Sequence, residues 1–151
     1  MVEIKHILFL TDFSAEATHA LAYAREFAEK FGARLYVLHV IENPTNKLYG
    51  EVSGDYHAFD KNAQEKTEDW LARLHREQLH GSPDRETVIE RGDLFDHVLK
   101  VVHEKHIDVI VISAHTHEGF HLHLIANLPE KLVYRAPCQV FVVHSQSEGR
   151  G

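Results

Sequence analysis

The chain has 151 residues, 44% of them hydrophobic, which is the size of one domain able to bury a full core without staples. Its formal net charge of −7, with no basic stripe to offset it, argues against a general nucleic-acid or anionic-membrane partner. No apolar stretch approaches the ~20 residues that span a bilayer, so no membrane segment is expected.

A single cysteine, Cys138, excludes an internal disulfide framework and fits a reducing cytosol. The opening MVEIKHILFL is too short in its apolar part for a secretory signal and lacks a small-residue cleavage site.

Apolar runs and amphipathic stretches alternate along the chain, the pattern of an α/β fold with a parallel sheet. Residues 4–10 (IKHILFL) read as a first strand covered on both faces. Ser14 offers a cap, Glu16 sits in the first helical turn, and Ala20, Leu21, Ala24, Phe27, Ala28 and Phe31 follow at helical spacing. Gly32 ends that helix, and residues 34–41 form the second strand. Residues 42–56, with Pro44, Gly50 and Gly54, read as an irregular connection.

A long helix then sets Ala63, Thr67, Trp70, Leu71 and Leu74 on one stripe, and Gly81-Ser82-Pro83 breaks it. Residues 86–90 make a short third strand. Gly92-Asp93 opens a helix with Phe95, Val98, Leu99 and Val102 inward. Residues 107–113 form the fourth strand, roughly 127–135 the last helix and 139–144 the fifth strand. One domain over residues 1–144 and a flexible tail over 145–151 are expected.

Five pieces occur in order: TDFS at 11–14, LHVIE at 38–42, RGD at 91–93, IDVIVIS at 107–113 with a histidine two residues later, and APCQVFVV at 136–143. With them the chain resembles the universal stress protein family over nearly all its length. The resemblance implies a flavodoxin-like, Rossmann-like three-layer sandwich, a five-stranded parallel sheet of order 3-2-1-4-5 with four helices. It also implies a cytoplasmic homodimer.

Nucleotide-binding members carry a loop of the form G-x2-G-x9-G-(S/T) after strand four. Its positions here are Ser113, Thr116, Ala126 and Asn127, so all three glycines are absent and the hydroxyl residue is Asn. The chain therefore resembles the members lacking the ATP phosphate-binding loop. Such glycines let a backbone approach phosphate oxygens and adopt positive φ, which a Cβ resists. Pro129 removes one first-turn amide, and Asn127 with Glu130 reads as a capping pair occupying others.

By the same resemblance, Asp12 matches the adenosine-contacting acid and Val40 the residue whose backbone meets the adenine edge. Each has a structural alternative: Asp12 as a brace of the turn before Ser14, Val40 as a core strand residue. His115 matches a family histidine in the loop after strand four.

Four histidines, His115, His117, His121 and His123, lie in HTHEGFHLH and have the residue type for zinc, nickel or copper. No cysteine pair or H-E-x-x-H spacing accompanies them. Strand five, with Val140, Phe141, Val142 and Val143, lies at a sheet edge in the implied order, and an apolar edge is stable when paired with a second copy.

The leading expectation is a non-enzymatic, dimeric stress-response protein acting through protein partners, with little or no ATP binding and no cofactor. The alternatives are an adenine-nucleotide sensor using Asp12 and Val40 with an altered loop, and metal binding by the histidine loop. Slow nucleotide hydrolysis would need a charged clamp, and no lysine or arginine lies between Ser113 and Glu130.

Overall fold

The computed structural model describes residues 1–42, 56–81, 83–114 and 128–144, with the backbone alone for 56–61. Strands β1 (His6–Leu10), β2 (Arg34–Ile41), β3 (Arg85–Arg91), β4 (Val109–Ser113) and β5 (Gln139–Val143) form one parallel sheet in the order β3-β2-β1-β4-β5. Helices α1 (Ala15–Phe31), α2 (Tyr56–Gln78), α3 (Leu94–Glu104) and α4 (Leu128–Arg135) occur between the strands. This is the flavodoxin-like architecture that the resemblance implies.

Alternation along the central strands builds two cores. Ile7 and Phe9 face α1 and α2, meeting Ala20, Leu21, Ala24, Leu71 and Leu74. Leu8 and Leu10 face α3 and α4, meeting Val98, Val101, Leu128 and Leu132. The alanines on α1 let the helix lie close to the sheet, so its small side chains stay buried without a gap. Truncating Phe9 or Leu8, both fully buried, costs on the order of 3 kcal/mol.

The first strand starts later than its apolar run. The Asp108 carboxylate accepts from the amides of Lys5 and His6 at 2.8 and 3.0 Å, clamping the entry to β1 from the β4 side. Two residues expected on inward stripes are exposed instead. Phe31, the last residue of α1, is 52% exposed, and Trp70 is 37% exposed with its ring against Phe13.

The two sheet edges differ. On β3, Glu86 pairs with Lys105 at 3.0 Å and Glu90 with Lys100 at 3.4 Å, so charge guards that edge. On β5, Val140 and Val142 are half-buried, Phe141 is exposed and Val143 is buried. Among the described residues β5 pairs only with β4.

Candidate functional site

The carboxyl end of β1 turns into α1 through three short side-chain-to-backbone bonds. Thr11 Oγ1 accepts from the Phe13 amide at 2.9 Å, Asp12 Oδ1 from the Ser14 amide at 2.9 Å, and Ser14 Oγ from the Ala17 amide at 3.1 Å. Ser14 is thus the expected N-cap, and Asp12 has the structural role open to it in the sequence. Phe13, between them, holds a left-handed φ of 64°, a conformation that costs a bulky residue about 1–3 kcal/mol.

That turn opens the edge of β2. Thr11 N–H still bonds Leu38 C=O at 3.0 Å, so the backbone of Leu38 faces β1. Val40, two residues on, faces the same way, but β1 pairs β2 only as far as Leu38. The Phe13 amide, which a longer β1 would give to Val40, goes to Thr11 Oγ1 instead. Val40 is also a buried core residue, the structural alternative read for it.

His39 bridges the same gap. Its Nδ1 donates to the Thr11 carbonyl at 2.8 Å, which fixes the tautomer and leaves Nε2 as an acceptor. Burial pushes its pKa below 6.5, against the opposing effects of the Thr11 bond and the Asp12 charge. Its ring stacks on Phe13 at 4.7 Å, and Phe13 stacks on Trp70 at 4.8 Å.

Around this opening lies a cleft of about 550 Å³, within the usual range for small ligands. Leu10, Leu38, Val40, Ile112 and Leu128 supply its apolar floor, and Asp12, Glu42 and His39 its polar points on the sheet side. Ser113, buried at the end of β4, also lines it, so a side chain stands where the resemblance expects a glycine. The crevice sits between β1 and β4, outside the carboxyl ends of strands on either side of the point where strand order reverses. Pro129 is buried in the first turn of α4, removing an amide from that helix start.

The structure brings Asp12, Val40 and Ser113 together. His115, Thr116, Ala126 and Asn127 lie outside the described residues, as do His117, His121 and His123 of the metal reading. Among the described residues no cluster of three or more potential metal ligands occurs.

One wall escaped the sequence reading: Asn62, Ala63, Lys66, Thr67 and Trp70 of α2 also line the cleft. The signal was present in the inward stripe, whose first half is small and polar where a packed helix carries large apolar residues.

Gly92 connects this region to β3. Its amide bonds the Ile41 carbonyl at 3.0 Å, its φ is 129°, and an added Cβ would meet His97 Nε2 at 2.8 Å. The glycine of RGD is therefore required by geometry. Cys138 is half-buried, and burial pushes its thiol up to about 11, which makes it a poor nucleophile.

An open parallel sheet with a crevice at its switch point is a flavodoxin-like α/β domain, the class in which ligands bind at that crevice. The chain belongs to the universal stress protein family, whose sequence pattern matches residues 3–144. It is similar to universal stress protein MJ0531 of Methanocaldococcus jannaschii, 25% identical over 149 residues that cover 92% of this chain and 81% of the relative.

The solved structure of hypothetical protein MJ0577 superposes with a TM-score of 0.81 at 21% identity, covering 97% of this chain and 100% of that one. A universal stress protein from Archaeoglobus fulgidus, solved in complex with dAMP, superposes at 0.59 and 16% identity, covering 94% and 98%. A universal stress protein solved in complex with cAMP superposes at a TM-score of 0.62 and 18% identity, covering 95% of this chain and 98% of that one. At these identities the structural likeness is one of fold.

Proposed function

We propose that this chain is a non-enzymatic, cytoplasmic stress-response protein that works as a homodimer through protein partners. Its cleft takes the nucleoside part of an adenine nucleotide and does not grip a polyphosphate. The carrying observation is the division of the cleft. The nucleoside side is open, with the Asp12 carboxylate and the Val40 backbone beside an apolar floor. The other side carries the Ser113 side chain where a glycine would admit phosphate oxygens. Two relatives of the same fold hold mononucleotides, cAMP and dAMP.

Catalysis lacks support because no arginine lines the cleft among the described residues, and the lining acids Asp12 and Glu42 outnumber the one lysine. Dimerisation is supported by the apolar β5 edge. Exposed Phe141, with Tyr23 and Phe31 on α1 and Val133 and Tyr134 on α4, supplies large apolar surface on β5 and the helices packed against it. Native mass spectrometry of freshly purified protein tests the whole reading. It should show dimer, with no ATP carried through purification; a monomer, or a dimer retaining ATP, contradicts it.

A further inference from the structure

The α2 wall of the cleft has a chemistry that the sheet side lacks. Lys66, Thr67 and Trp70 fall on one helical face, with Asn62 a turn earlier, and all four line the cavity. Thr67 is only 2% exposed and lines the cavity. A buried hydroxyl beside a cavity is placed to bond a polar group that fills it.

Lys66 is the cation of the wall. Its Nζ stands 4.7 Å from the centre of the Trp70 ring, and no carboxylate among the described residues pairs with it. Trp70 is held in turn by Phe13 at 4.8 Å, so the aromatic series His39, Phe13, Trp70 backs the ammonium group. Such a contact steadies the lysine stem without neutralising its charge. Among the described lining residues Lys66 is the one cation beside the acids Asp12 and Glu42, so it can offset one negative group locally while each further negative charge on a ligand is opposed.

We propose that Lys66, with the Thr67 hydroxyl beside it, is the anion-binding element of this cleft, and that it selects ligands bearing a single phosphate. The assignment rests on the nucleoside reading above and adds the residue that recognises the acid group. A charged hydrogen bond of this kind, at a site open to solvent, corresponds to about a ten-fold gain in affinity.

Calorimetric titration of adenosine and AMP into wild type, Lys66→Gln and Lys66→Arg separates the two claims. Wild type should bind AMP about ten-fold more tightly than adenosine, with the preference shrinking as salt rises. In Lys66→Gln the two ligands should bind alike, with adenosine affinity unchanged, and Lys66→Arg should restore the preference. Thr67→Val should lower AMP affinity and leave adenosine near its wild-type value. If adenosine binds but the AMP preference survives Lys66→Gln, the lysine assignment is wrong and the nucleoside reading stands. If neither ligand binds wild type, both fall.

Discussion

His39 and Thr11 are joined by a 2.8 Å hydrogen bond from imidazole Nδ1 to a backbone carbonyl, which ties the end of β2 to the point where β1 leaves the sheet. The bond fixes the ring, aligns it on Phe13 and presents Nε2 as an acceptor at the cleft. The ring is held neutral by burial, so protonation acts against the folded state.

Stability should therefore fall in mild acid. The unfolded chain takes up a proton at His39 near the ordinary value of 6.5, whereas the folded ring does so only at lower pH. Stability is intact above that value and declines as pH drops through it toward the folded pKa. His75 adds to the same trend, because burial and the Arg85 charge lower its pKa too. Thermal melts between neutral and mildly acidic pH should show a falling midpoint, and His39→Gln with His75→Gln should flatten the slope. An unchanged slope in the double variant would count against this assignment.

Asp12 has two separable roles. Asp12→Asn keeps an oxygen for the Ser14 amide and removes the charge at the cleft, so the melting point should hold while adenosine affinity drops. Ser14→Ala, in contrast, should cost about 1 kcal/mol of stability through the lost cap. Chemical denaturation paired with calorimetry distinguishes the two variants.

Gly92→Ala should be destabilising by about 1–3 kcal/mol, since alanine must hold a φ of 129° and its Cβ meets His97 at 2.8 Å. His97→Ala in the same background should recover part of the loss. Urea denaturation of the single and double variants measures both.

Trp70 is the only tryptophan in the chain and lines the cleft, so it reports occupancy directly. Adenosine should shift its emission to the blue as solvent leaves the ring. Emission that ignores saturating ligand while calorimetry shows binding would place the ligand elsewhere.

At the β5 edge, Tyr134→Lys with Phe141→Lys puts charge on two exposed residues, and should give monomer in sedimentation velocity with the fold intact by circular dichroism. Persistence of dimer would move the interface elsewhere.

The strands and helices were legible because an apolar run such as β1, covered on both faces, and the helical spacing of α1 are set by burial, while the sheet order came through the resemblance. Boundaries slipped where a side chain replaced the ladder, as Asp108 does at Lys5 and His6. At the site, Asp12, Val40 and Ser113 could be placed through the resemblance, which follows strand ends. Thr67 and Trp70 were read only as members of an inward stripe and Lys66 was missed, because α2 reaches the cleft only through tertiary packing after a long connection, and an exposed lysine on a helix carries no local mark of a site.

The central claim is that the cleft holds a nucleoside but not a polyphosphate. Calorimetric competition between adenosine and ATP on the purified protein tests it most directly. Adenosine should bind with measurable heat, and ATP should bind more weakly. Tight ATP binding that adenosine cannot displace would contradict the account.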